Sequence, residues 1–361
     1  MSNPFCFNEN ASERFIAEMN EVSQVHYNGN ALFRRLWERE GLKPGFLKDE
    51  KDLERLPFLP VGIFKEMELV TGPREKIVME LTSSGTGGQK SRIFLDRVSL
   101  ERVELIARDV YNALGMVCPE ESGNYLCFTY DPAIASDLGT AWTDKLLTGF
   151  TKKNEVYYAI QWDKAKGAFE LNREGVWKKL LEFSAQALPV RILGFPAMIY
   201  EVMIRRAEAE DVRLKLGDKS WVMTGGGWKG ASDVELPKAD FKRRLSGVLG
   251  LPERNIRDLF GMVEHGVPYV DCEFGNMHIP NYSRVIIRDP ATLSPLGYGE
   301  KGLIQFITAY LTSYPSISLL TTDWGIVRKD CPCGRGPVLE VKGRAGVTKH
   351  KGCAVKAAEL L

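Results

Sequence analysis

The sequence predicts a mixed α/β fold, on three observations. Short apolar runs of strand length at 124–130, 156–160 and 191–196 lie between helix-length segments, as buried parallel strands do. A loop rich in glycine and hydroxyls joins two strand-like segments, 76–81 and 91–95, and an amphipathic helix follows. Segments 302–307 and 318–325 read as strands of a smaller β subdomain.

The bulk properties narrow the class. At 361 residues the chain can bury a large core and form two domains, or one with subdomains. A net charge of +1 with 26% charged residues gives no pull toward nucleic acid or a membrane surface. The first residues carry no basic region followed by an apolar run, and no apolar stretch reaches the ~18 residues of a span. A cytoplasmic protein without membrane insertion is expected. Cysteines are odd in number, at 7, and scattered, which argues against a disulfide framework.

Taken in order, Phe15, Ile16, Met19 and Val22, then Leu32, Phe33, Leu36 and Trp37, recur at helical spacing over 11–40. A helical cap over 1–55 is expected. Pro57 and Pro60 make 57–65 an extended connector. Thr82, Ser83, Ser84, Gly85, Thr86, Gly87, Gly88, Gln89 and Lys90 then read as a loop around a polyphosphate. The glycines let backbone N–H groups approach oxygens, the hydroxyls donate, and Lys90 supplies charge. It is not a P-loop, because Gln89 stands where that motif has glycine and a strand follows where it has a helix. The plain alternative is a surface hairpin turn. Asp96 or Ser99 can cap the next helix, whose apolar face is Val103, Ile106, Val110, Tyr111 and Leu114.

The run at 191–196 turns into a helix over 198–207, at the kind of strand end where α/β proteins hold ligands; Phe195 is a candidate there, with core packing as the alternative. Trp221 to Thr224 reads as a strand running into Gly225, Gly226 and Gly227. Three glycines suit the close approach of a flat ligand, or a bulged turn. Further on, Cys331 and Cys333 flank one proline on a Gly/Pro turn, and Cys272 precedes His278 by a short interval. Three sulfurs and an imidazole make a four-coordinate zinc set; inert, buried or redox-active thiols are the other reading. Near the end, Cys353 is flanked by Lys349, His350, Lys351 and Lys356. Neighbouring cations lower a thiol pKa and make it a nucleophile, whereas the bland reading is a stray surface cysteine.

Five of these stretches follow one another in the order of the adenylate-forming ligases: Thr-Ser-Ser-Gly-Thr-Gly-Gly-Gln-Lys at 82–90, Thr-Gly-Gly-Gly-Trp-Lys at 224–229, Phe-Gly-x-x-Glu at 260–264, Thr-Asp-x-Gly at 322–325 and Gly-Arg at 343–344. The second is particularly similar to the acyl-protein synthetases of the LuxE type, and the resemblance runs from about residue 55 to the end. It implies layered α/β sheets plus a small β subdomain, over an α/β body at 56–270, a β subdomain at 271–344 and a tail at 345–361. It also implies that the usual C-terminal lid domain is missing, so that the catalytic lysine is unassigned, with Lys229, Lys349 and Lys351 as stand-ins.

For the site, the resemblance implies ATP phosphates on Thr82, Ser83, Ser84, Gly85, Thr86, Gly87 and Lys90, and adenine on Gly225, Gly226, Gly227, Phe260 and Gly261. It implies Mg2+ on Glu264, ribose on Asp323 and nucleotide oxygens on Arg344. His265 is either a satisfied polar residue or a group near the acyl phosphate. Phenylacetate–CoA ligase-like members that carry the Cys…His…Cys-x-Cys pattern favour structural zinc on Cys272, His278, Cys331 and Cys333. Cys353 sits where the resembling synthetases accept the acyl group before passing it to a reductase.

The expected function is therefore activation of a carboxylic acid, fatty before aromatic, as acyl-AMP, then thioester formation on Cys353. Delivery to coenzyme A or a carrier protein is the alternative, and a non-catalytic binding module is a third, against which Lys90, Glu264 and Asp323 speak. The sequence leaves homo-oligomerisation open.

Overall fold

The apolar stripe of the N-terminus folds as two helices, Glu9–Gly29 and Ala31–Arg39, because Asn30 closes one and opens the other. Its N–H donates to the His26 carbonyl at 2.8 Å, and its side-chain oxygen accepts the Phe33 N–H at 3.0 Å. The computed structural model describes residues 3–83, 90–131, 133, 139–164, 167–228 and 235–345. Contacts divide the chain into two units, Met1–Ala113 with Gly261–Tyr269 and Asn276–Leu361, and Leu114–Phe260 with Val270–Gly275.

In the first unit, Phe15, Met19, Val22, Phe33 and Trp37 are buried together with Ile307, Ala309 and Ile317, so the N-terminal helices rest on strands much later in sequence. His26 is sealed beneath them, its ring nitrogens against Thr71 Oγ1 at 2.8 Å and the Leu311 carbonyl at 2.9 Å. Leu59–Pro60 is a short strand paired with Ser318–Arg328. The connector is extended only that far: Ile63–Glu66 is a helical turn, since the proline constraint ends at Pro60 and Gly62 is already helical.

Ile77–Thr82 and Arg92–Asp96 form an antiparallel hairpin, and Asp96 caps Arg97–Ala113 by accepting the Ser99 N–H at 2.7 Å. Ser283–Arg288, Lys301–Thr308, Ser318–Arg328, Val338–Arg344 and Met277–His278 pair antiparallel in that order. The sequence reading names no strand at Ser283–Arg288. Val285, Ile286 and Ile287 are a short β-branched signal for it, and Arg288 at the buried end is satisfied by Gln305 Oε1 at 2.6 Å and the Glu54 carbonyl at 2.7 Å.

In the second unit, Thr151–Asp163, Cys118–Tyr130, Val190–Gly194, Trp221–Gly225 and Ile256–Phe260 lie parallel in that order, with Ala168–Leu171 antiparallel on the outer edge. Tyr125, Leu126, Cys127 and Phe128 are all fully buried, as in a sheet covered on both faces. Helices Arg173–Ser184 and Lys238–Leu249 supply Trp177, Leu180, Leu245 and Val248 to this core. The helix expected after Phe195 begins at Pro196 and contains one π turn, Tyr200–Ile204, before resuming as Arg205–Ala209. Among the described residues, no helix is long and apolar enough to cross a membrane.

Candidate active site

The hairpin presents the base of the expected phosphate loop. The Ser83 N–H donates to the Ser91 carbonyl, and the Ser91 N–H to Ser83 Oγ, both at 3.0 Å, so the two strands are clamped where the loop leaves and returns. Thr82 ends the first strand and Lys90 is exposed beside the second. Ser84, Gly85, Thr86 and Gly87 lie outside the described residues, as do Lys229, Lys349, Lys351 and Cys353.

Glu264 lies in the same unit, on a turn closed by the His265 and Gly266 N–H groups on the Met262 carbonyl, both at 3.1 Å. Gly266 has φ +74°, and a Cβ there would lie 2.9 Å from Val103 Cγ2, so only glycine ends this turn. The turn carries Glu264 inward to 6% exposure. Burial raises its carboxyl above the usual range, while the nearby Ser91 hydroxyl, Lys65 and Arg344 pull the other way. Tyr314 fixes the turn from behind by donating to the Val263 carbonyl at 3.1 Å.

His265 points the other way. It is 1% exposed, with Nε2 2.8 Å from the Tyr269 hydroxyl, which in turn lies 2.6 Å from Ser283 Oγ. Burial drives its pKa down to about 3, so the ring is neutral. Its Nδ1 is buried with no hydrogen-bond partner among the described residues, so the ring is only half answered.

Asp323 and Arg344 face each other across paired strands, Asp323 Oδ1 3.9 Å from Arg344 Nε. The Asp323 N–H is held by Thr321 Oγ1 at 3.1 Å, and burial raises its carboxyl against the opposing pull of Arg344. On another part of this unit, His278 Nε2 is 3.0 Å from Cys333 Sγ, which is 3.4 Å from Cys331 Sγ. The turn at 331–334 is closed by the Gly334 N–H on the Cys331 carbonyl at 3.0 Å, and Asn276 Nδ2 donates to Cys331 Sγ at 3.3 Å. Two thiols and an imidazole this close fit a zinc ion by donor chemistry. Cys272 is buried six residues before His278 in the chain.

In the second unit, Gly225 ends its strand, and Gly226 and Gly227 have φ +74° and +68°. Those two are glycine because the backbone is left-handed there. A Cβ on Gly225 would approach the Leu259 carbonyl to 3.2 Å. Phe260, at the end of the neighbouring strand, is partly exposed, as is Phe195, which precedes its helix.

Thr224 Oγ1 donates to Asp258 Oδ1 at 2.9 Å, and burial pushes the Asp258 carboxyl up to about 6. Asp271, fully buried, takes Lys238 Nζ at 2.8 Å, Lys242 Nζ at 3.2 Å and the Asp258 N–H at 3.0 Å. This ionic network escaped the sequence reading. Asp258 lies two residues before the aromatic-Gly stretch, but the partners of this network come from three separate segments.

The fold has known counterparts. Two crystal structures of 2-hydroxyisobutyryl-CoA ligase superpose with TM-scores of 0.71 and 0.69 at 18% identity, covering 92% and 91% of this chain and 67% and 74% of theirs. A long-chain-fatty-acid-CoA ligase from Archaeoglobus fulgidus superposes at 0.52, with 13% identity over 76% of this chain and 53% of that one. The fold is that of the adenylate-forming ligases. More narrowly, the family model "Acyl-protein synthetase, LuxE" matches residues 1–361, and the chain belongs to that family. It is 27% identical to the long-chain-fatty-acid–luciferin-component ligases of Aliivibrio fischeri and Vibrio harveyi, over 94% and 93% of this chain and 87% and 85% of those proteins. The protein is an acid-activating ligase.

Proposed function

We propose that this protein uses Mg2+ and ATP to activate a long-chain fatty acid as acyl-AMP, then carries the acyl group as a thioester on Cys353 for hand-over to a partner such as an acyl reductase. The observation that supports this best is Glu264, a carboxylate buried beside Ser91 at the base of the phosphate-type loop. A substrate carboxylate oxygen attacks the α-phosphorus and pyrophosphate leaves. Lys90 and the loop N–H groups answer the charge that develops, an electrostatic task.

Glu264 would be the group to hold Mg2+, and its setting fits, since a carboxylate that is 6% exposed and raised above its ordinary pKa by burial is relieved by a cation beside it. When bound, that ion neutralises phosphate charge. Asp323 is acceptor-only and suits the ribose hydroxyls, with Arg344 beside it. Gly225, Gly226, Gly227, Phe260 and Gly261 form the adenine surface in this reading. His265 acts as a positioning residue, anchoring the Glu264 turn through Tyr269. The Cys353 thiolate attacks the acyl carbonyl carbon and AMP leaves, which splits transfer into two easier steps. His278, Cys331 and Cys333, with Cys272 as the fourth ligand the sequence offers, would hold a zinc ion whose part would be structural.

Intact-protein mass spectrometry after incubation with Mg·ATP and a panel of fatty and aromatic acids tests the reading. The expected result is a gain of one acyl group, released by hydroxylamine and absent in Cys353→Ser. Pyrophosphate release without any adduct would move the final acceptor to coenzyme A or a carrier.

A further inference from the structure

At their starting ends the parallel strands of the second unit line a half-open cavity of about 210 Å³ that the reaction above does not use. Its wall carries Cys118, Glu121, Arg191, Lys219, Trp221 and Arg257. Arg191, the second residue of Val190–Gly194, is only 2% exposed, and its guanidinium lies over the Trp221 ring at 5.2 Å. It donates to the Lys219 carbonyl and, at 3.3 Å, to Glu121 Oε2, while its Nε has no partner among the described residues. Glu121 is shared, because Lys219 Nζ donates to its other oxygen at 2.8 Å. With Asp218 included, three cationic side chains line the space against two carboxylates.

A guanidinium buried with its Nε–H unanswered is unfavourable, and that one free N–H can donate to an oxyanion. The opposite ends of these strands carry Gly194, Gly225 and Phe260, three or four residues and roughly 10–13 Å of strand beyond Arg191, Trp221 and Arg257. An occupant here therefore stands apart from the expected nucleotide surface. We infer that this cavity is a binding site for a small phosphate oxyanion, orthophosphate or pyrophosphate, held by Arg191 and Lys219. A surplus of positive charge favours an anion over a neutral ligand, and the indole under Arg191 keeps that guanidinium in place. The inference rests on the cavity and not on the proposed reaction.

Cys118, partly exposed on the cavity wall, makes the test specific. The full chain is alkylated with iodoacetamide at matched ionic strength, with potassium chloride, orthophosphate or pyrophosphate, and labelling is followed by peptide mass spectrometry. Cys6, exposed in the first unit, is the internal control. Either phosphate species is expected to slow Cys118 severalfold and leave Cys6 unchanged, the more potent one naming the occupant. Lys219→Met, at a side chain 72% exposed and safe for folding, should raise the half-effect concentration about tenfold. Arg191→Gln should abolish protection. Equal labelling of Cys118 in chloride and in both phosphate species would overturn the site, as would protection undiminished in Lys219→Met.

Discussion

Two polar clusters of the first unit are both largely buried, yet they differ in how their groups are answered. At His278, Cys331 and Cys333 the donors converge on one another within hydrogen-bond reach. At Glu264 the carboxylate is buried, at Asp323 it is partly exposed and 3.9 Å from Arg344, and burial raises both above their ordinary pKa. A cluster that converges on a point is arranged to hold the fold together. One that leaves burial uncompensated is arranged to meet a ligand, and perturbed pKa values gather at such places.

The sharpest way to break this contrast is Glu264→Gln. Acid-dependent ATP–pyrophosphate exchange should fall about 100-fold or more. Stability at neutral pH should hold or rise, because a carboxyl whose folded pKa is raised loses stability as pH climbs above its unfolded value. Loss of fold together with activity would show that Glu264 is structural. Cys333→Ser should do the reverse. Bound zinc, read by elemental analysis, disappears and Tm falls by about 4 °C, as loss of a few kcal/mol does in a chain of this size. A protein that contains no zinc, or a variant with unchanged Tm, would remove the structural reading.

A smaller effect separates His265 from its neighbour Glu264. His26 and His265 have pKa values lowered from 6.5 to about 4 and about 3. The unfolded chain protonates first, so the stability they lend is complete above pH 6.5 and drains as pH falls. At pH 5 each should cost about 2 kcal/mol. Urea unfolding at pH 7 and pH 5 measures the loss, and His26→Gln should lessen it. A flat profile would mean that these rings are hydrated.

Much of this was legible because it is local. The hairpin around residues 82–91, the strand ends at Gly225 and Phe260 and the facing pair Asp323 and Arg344 all lie inside short motifs or apolar runs. What surrounds Glu264 was not legible. Ser91, Lys65, Tyr314 and Arg344 are scattered through the chain and meet only after folding. His265 shows the limit of a motif, since its place beside Glu264 in sequence says nothing of the Tyr269 hydroxyl that turns it inward. The helix break at Asn30 did leave a signal, Asn-Gly-Asn within an otherwise periodic stretch, and the periodicity hid it.

The π turn at Tyr200–Ile204 closes i→i+5 rings, wider than the α-helical turns on either side of it. Within it Val202, Met203 and Ile204 are buried in succession, a run that the narrower stripe of an α-helix does not give. Beyond it the helix returns to the surface, where Arg206 meets Glu174 at 2.7 Å.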